Sequence, residues 1–204
     1  MPGSPESPPN EFDLPLSGNA VWAGPDGIGD SSFDDVPAPQ AVELPAELGD
    51  DPRIALRRTL GMFATGVTII TTREADQVHG MTANAFMSVS LEPPLVLISV
   101  DRRTKMCTML HEGMHYGVSV LCESQAALSD RFAGRSDKEE PRFVVVRDTP
   151  LVDGALAHFV ARVERSYWGG DHSLFLGRVE YARQNEGTPL LFHGGRYERL
   201  GQTG

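Results

Sequence analysis

Long apolar runs are missing from this chain. The longest, such as Pro94 to Val100, are strand-sized and fall far short of the roughly 20 residues a membrane-spanning helix requires. Cysteine is nearly missing as well. Its two thiols, Cys107 and Cys122, form no C-x-x-C pair. With no basic or apolar leader at the N-terminus, they read as free thiols of a cytoplasmic protein rather than as a disulfide framework. Basic side chains are absent from residues 1–52, which hold 11 acidic ones, whereas residues 53–204 hold 17 acidic and 18 basic. The net charge of −10 therefore belongs to the N-terminal segment, and the remainder is near neutral. A chain without a basic footprint gives phosphate backbones and anionic lipid nothing to hold, so neither nucleic acid nor a membrane is expected as a partner.

What is present suits one domain with an extension. The chain has 204 residues, of which 40% are hydrophobic, enough for one real core but crowded for two. Residues 1–52 contain 10 of the 15 prolines, set among Gly, Ser and Asp. Such a composition buries too little apolar surface to offset the entropy of ordering. The expected organisation is an acidic Pro/Gly-rich extension over residues 1–51, largely disordered, followed by a domain over 52–204. Leu14, Leu16, Val21, Trp22, Ile28 and Phe33 form apolar islands within the extension. They are either incidental or available to lie across a partner or the domain itself.

Order begins at Asp50-Asp51-Pro52, an acidic cap followed by proline at the first helical position. The helix is expected to run to about Met62, with Leu56, Leu60 and Phe63 as its apolar side. From Val67 to Thr72 the chain is β-branched almost throughout, which favours a strand. Further strands are expected over Gly80 to Ser90, Leu95 to Val100, Tyr116 to Leu121, Ala157 to Glu164, Ser173 to Arg183, Leu190 to His193 and Arg196 to Leu200. Two short helices interrupt them, Thr104 to His111 and one starting at Ser124 that uses Ala127, Leu128 and Phe132. Many short strands with few helices predict a mainly β, closed or nearly closed antiparallel barrel, because parallel strands need long crossovers.

Within Gly80 to Val100, small and polar residues stand where bulky ones would pack better. Small side chains let a planar ligand approach backbone N–H and C=O groups, and Thr82, Asn84, Ser88 and Ser90 add donors and acceptors. On composition alone, a twisted edge strand with solvent-facing Ser and Thr is the preferred explanation of the same residues.

Several separated segments bear on that choice: Thr65-Gly66-Val67-Thr68-Ile69-Ile70-Thr71-Thr72, the stretch Thr82 to Leu95, Val118-Ser119-Val120-Leu121, Arg131-Phe132-Ala133 and Gly170-Asp171-His172. In order and spacing they resemble the short-chain flavin reductase family, whose members supply reduced flavin to two-component monooxygenases. The resemblance covers about residues 53–200. It implies a split β-barrel of the FMN-binding type with Greek-key-like antiparallel strands. It also implies a homodimer with flavin at or near the subunit interface, FMN or FAD as the flavin, NADH or NADPH as the reductant, and a separate flavin-dependent monooxygenase as partner.

By the same resemblance, the backbone of Thr82, Ala83, Asn84, Ala85 and Phe86 holds the flavin ring, and the segment Ser99 to Lys105 holds its phosphate. The side chains of Arg102, Arg103 and Lys105 are cationic, and Thr104 opens a helix whose N-terminus favours an anion. Met106 stands where relatives often carry a hydroxyl residue. Arg131 and Phe132 match a motif that approaches the flavin in relatives. His172 is the side chain expected beside the nicotinamide, since imidazole can bond the carboxamide or stabilise charge in either protonation state near neutrality.

Other arrangements carry less. Gly24-Pro25-Asp26-Gly27-Ile28-Gly29 lies in the extension rather than after a strand, so it is not a dinucleotide-binding loop. Cys107, His111 and His115 are spaced by four, as metal ligands on a helix would be, but Gly113 is expected to end that helix first, and no metal is expected. Two further functions keep the same fold: a flavoprotein that retains its flavin and oxidises an organic substrate, and a non-catalytic flavin-binding interaction protein.

Overall fold

The computed structural model describes residues 51–201; the extension and its apolar islands lie outside the described residues. Helix α1 spans Pro52–Leu60, and Asp51 caps it by accepting a hydrogen bond from the Arg53 N–H at 2.9 Å. Twelve strands follow among the described residues: β1 (Thr65–Gly66), β2 (Thr68–Glu74), β3 (Gln77–Ala83), β4 (Phe86–Leu91), β5 (Pro94–Asp101), β6 (His115–Val120), β7 (Phe143–Val146), β8 (Thr149–Val152), β9 (Ala157–Gly169), β10 (His172–Gln184), β11 (Leu191–His193) and β12 (Arg196–Glu198). The short helices α2 (Lys105–Met109) and α3 (Ala126–Phe132) interrupt them.

Seven of these strands form one antiparallel sheet in the order β3-β2-β6-β9-β10-β5-β4. Its two edge strands, β3 and β4, are consecutive in the chain and joined by Asn84 and Ala85 alone. Three Cα–Cα steps cover at most about 11 Å, whereas the edges of a flat seven-stranded sheet lie roughly 29 Å apart. The sheet therefore has to roll until its edges meet, which makes it a barrel split at that seam. This is the mainly β split-barrel class expected from the sequence.

The barrel interior is filled by Ile70, Val96, Ile98, Val100, Tyr116, Val118, Ala161, Val163 and Phe175. A second cluster, with Val67, Ile69, Leu121, Leu128, Val152 and Leu190, lies outside it and packs with Phe132 and Phe143. Strand β2 serves both clusters, and its residues Thr68 to Thr72 are buried on both faces. That double burial is the reason for its unbroken β-branched run.

Three sequence expectations change. Gly80 to Ser90 is two strands rather than one, because the chain crosses the barrel seam at Asn84. Residues Phe143 to Val152 form a β7–β8 hairpin that was not anticipated, since its run of valines is too short to show a period. Helix α1 ends at Leu60 and buries Ala55, while Leu56, Leu60 and Phe63 remain exposed. The apolar side expected of the helix instead faces outward beside the cleft described next.

Candidate active site

Strand alternation assigns the walls of the site. On β5, Val96, Ile98 and Val100 point into the barrel, so Leu97, Ser99 and Asp101 point out. In register, Met87 lies opposite Leu97 and His172 opposite Asp101, which puts Met87, Leu97, Ser99 and His172 on one outer face of β4, β5 and β10. Arg57, Leu60 and Phe63 from the α1 region, Thr65 of β1 and Phe192 of β11 close around that face to leave a cleft of about 860 Å³. Asn84, Ala85 and Phe86, the residues of the seam, complete the lining. A smaller pocket of about 270 Å³ shares Arg57, Asn84 and Phe192 with the cleft and adds Thr82, Ala83, Ser129, Arg135 and Tyr197.

The expected ring-binding segment and the expected reductant-side histidine thus meet at one site. Asn84, Ala85, Phe86, Ser99 and His172 line the cleft, and Thr82 and Ala83 line its neighbour. Thr82 is partly committed, because its hydroxyl donates to the Ser129 carbonyl at 2.6 Å.

Of the expected phosphate segment Ser99 to Lys105, Ser99 lines the cleft, whereas Arg102, Arg103, Thr104 and Lys105 line neither space. Arg103 is bound by Asp101 at 2.6 Å, and that pair holds the Asp101 carboxyl well below the usual carboxylate range. Lys105 pairs with Glu74 at 2.8 Å. Thr104 caps α2, donating to the Asp101 carbonyl at 2.7 Å and accepting from the Cys107 N–H. Arg102 is exposed, and its backbone N–H donates to the Asp171 carbonyl at 3.0 Å. Arg131 donates to the Asp137 carbonyl at 2.7 Å and pairs with Glu140 at 3.4 Å. Phe132 meets Phe143 edge-on, with ring centroids 6.3 Å apart, and covers Gly80 so closely that an added Cβ would lie 2.5 Å from its ring.

His172 is oriented by its neighbour. Its Nδ1 lies 2.7 Å from Asp171 Oδ1. A carboxylate only accepts, so Nδ1 carries the proton and Nε2 is left for a ligand in the cleft. The His172 hydrogen bond in turn holds the Asp171 carboxyl below its ordinary value. Asp171→Ala is expected to return the neutral imidazole to its Nε2–H tautomer, whereas Asp171→Asn, whose amide oxygen still accepts, retains the Nδ1–H form. Ring 15N shifts of His172 distinguish the two, and unchanged shifts in the alanine variant would remove Asp171 from this role.

Among the described residues, no group of three or more His, Cys, Asp and Glu side chains is placed to hold a metal ion. His115 opens β6 and pairs with Glu180 at 3.1 Å. Burial pushes the Glu180 carboxyl up, but hydrogen bonds from His115 and Arg162 outweigh it and the net direction is down. His158 is a core residue whose Nε2 lies 2.7 Å from the Val152 carbonyl.

The cleft suits a flat, mostly apolar ring with a polar edge. Phe63, Phe86, Leu97 and Phe192 supply apolar walls, and Thr65, Asn84 and Ser99 supply polar groups, the composition expected of a cofactor-sized pocket. The Thr65 hydroxyl is buried and has no hydrogen-bond partner among the described residues. A buried polar atom without a partner is costly, and a ligand in the cleft would satisfy it. Thr65, Leu97 and Phe192 were missed as site residues in the sequence. Leu97 could have been found from β5 alternation, while Phe192 enters only through the tertiary fold.

Comparison with known proteins identifies the group to which this architecture belongs. Residues 60–201 match the family described as "Flavin reductase like domain". An NADH-dependent flavin reductase of a Rhodococcus species is 48% identical over 157 residues, covering 74% of this chain and 89% of that protein. The reductase component of a Thermus thermophilus 4-hydroxyphenylacetate 3-monooxygenase is 41% identical over 147 residues, covering 72% and 95%. Among solved structures, the flavin reductase PheA2 in its native state superposes with a TM-score of 0.71 at 43% identity, covering 75% of this chain and all of that one. The Streptomyces globisporus NADH:FAD oxidoreductase SgcE6, in complex with NAD and FAD fragments, gives 0.69 at 39% identity, covering 74% and 94%.

Proposed function

Since this chain belongs to the flavin reductase like domain family, we propose that it transfers a hydride from NADH to FMN or FAD and supplies the reduced flavin to a separate flavin-dependent monooxygenase. The observation that carries this reading is one apolar-walled cleft in which Thr65, Asn84, Ser99 and His172 converge. Bound flavin supplies the redox chemistry itself, accepting the hydride without a protein nucleophile or general base.

The chain's own residues bind, orient and keep water out. Asn84, Ser99 and the otherwise unpaired Thr65 hydroxyl offer donors and acceptors to the polar edge of the flavin ring. Phe86, Leu97 and Phe192 cover its apolar part and dry the site, which strengthens every polar contact made there. His172, its ring set by Asp171, turns Nε2 toward the nicotinamide carboxamide and holds the reductant against the flavin.

Assembly and location follow the same reading. Leu60, Met62 and Phe63 around the end of α1 and Met87, Val89 and Leu91 on the edge strand β4 are all exposed. An apolar patch of that kind beside the site is what a homodimer covers. No helix among the described residues is long and apolar enough to cross a membrane, and the free thiols of Cys107 and Cys122 suit a cytoplasmic protein. The organisation we propose is an acidic extension over residues 1–51 ahead of a reductase domain over 52–204.

The test is NADH oxidation by the purified protein with added free flavin. The expected rate rises with FMN or FAD and saturates. Tight flavin binding without NADH oxidation would sink the reductase reading and leave a retained-flavin oxygenase or a binding protein.

A further inference from the structure

We propose that Arg57 is the residue that grips a phosphate group of the bound nucleotide; the inference rests on the reductase reading above. Arg57 lies on α1, just upstream of the family-matched residues 60–201, and none of the motifs that point to flavin includes it. It nevertheless lines both the 860 Å³ cleft and the adjoining 270 Å³ pocket.

Three observations select it. The first is local charge. In a chain of net charge −10, neither space has an aspartate or glutamate in its lining. Asp130 contacts two lining residues, Tyr197 at 2.9 Å and Arg135 at 3.4 Å, which leaves Arg57 as the lining guanidinium whose charge no carboxylate among the described residues offsets.

The second is availability. Of the cations that the motifs favoured, Arg103 is engaged by Asp101, Lys105 by Glu74 and Arg131 by Glu140, Arg102 is exposed, and none of the four lines either space. Arg57 makes no side-chain hydrogen bond or ion pair with another described residue.

The third is the surroundings. The smaller pocket has a polar wall of Thr82, Ser129 and Tyr197, with Arg135 held by Asp130 at 3.4 Å, while the ring-sized cleft opens from the same Arg57 and Asn84 wall. A ligand with an apolar ring and an anionic tail matches that sequence of surfaces, and the guanidinium fork matches the oxygens of a phosphate.

Phosphate reaches this site from two sources, the flavin nucleotide and the nicotinamide dinucleotide. Equilibrium binding to the full-length chain separates them, with wild type, Arg57→Ala and Arg57→Lys titrated with FMN, riboflavin and NADH and followed by the fluorescence of each ligand. Arg57→Ala is expected to weaken FMN, NADH or both by about tenfold or more, while riboflavin, which lacks the phosphate, stays within about twofold. Arg57→Lys should fall between, because it keeps the charge and loses the fork.

Loss confined to FMN assigns the flavin phosphate, loss confined to NADH assigns the dinucleotide, and loss of both means a shared position. If all three ligands stay within about twofold, or riboflavin weakens as much as FMN, the assignment is overturned. Because these measurements need no turnover, Arg57-dependent FMN binding in a chain that does not oxidise NADH would overturn the reductase reading and leave the phosphate contact standing.

Discussion

Replacing His172 by alanine is expected to slow hydride transfer from NADH to flavin by roughly a hundredfold while flavin affinity changes by no more than about twofold. The reason is position. His172 opens β10 opposite Asp101, on the outer face shared with Ser99, and its ring is held by Asp171 at 2.7 Å. Thr65, the seam residues and His172 line one cleft, and in the proposed reading the flavin lies against Thr65 and the seam while the imidazole holds the reductant. Single-turnover reduction under anaerobic conditions, with flavin affinity measured separately, checks the split. Weakened flavin binding with an unchanged reduction rate would remove His172 from its proposed role.

The second large effect concerns the barrel itself. Gly177 stands on β10 between Val96 of β5 and Val163 of β9. A Cβ there would lie 2.8 Å from Cζ and 3.0 Å from Cε1 of Tyr116, and closer still to the phenol oxygen. Tyr116 is fully buried in the barrel core, and its hydroxyl has no partner among the described residues. Burial alone pushes that phenol above its ordinary pKa.

The ring has no solvent into which to retreat. Gly177→Ala is therefore expected to cost about 3 kcal/mol, or roughly 10 °C in Tm. Adding Tyr116→Phe should recover part of the loss, since it removes both the nearest clashing atom and an unsatisfied buried hydroxyl. Thermal unfolding of the three variants decides the matter. A Gly177→Ala protein as stable as wild type would mean that the Tyr116 ring can move.

Several features of the site were legible in the sequence because they are local. The run Val67 to Thr72 announces a strand through its β-branched side chains. The small residues Ala83, Asn84 and Ala85 announce a place where a ligand can approach the backbone, and they lie at the barrel seam beside the cleft. The cationic run Arg102, Arg103 and Lys105 also resembles an anion site, but charge composition does not reveal which cations are already paired. Asp101 and Glu74 engage two of the three, and Glu74 reaches Lys105 only because β2 passes beside α2. Arg57 had the opposite fate: nothing in its local sequence distinguishes it, and its position on the cleft wall is a product of folding.

By itself, the sequence determined the mainly β class, the acidic N-terminal segment, the family and the two segments that meet in the cleft. Each of these is written in composition, side-chain period or motif spacing, which involve residues near one another in the chain. Only the tertiary structure decided that Gly80 to Ser90 breaks at Asn84, that the outer face of β4, β5 and β10 is a walled cleft, and that Arg57 and Phe192 belong to it. Strand alternation specifies which side a residue faces but not what covers that side. The cover comes from α1 and β11, more than a hundred residues apart, brought together by the closing of the barrel.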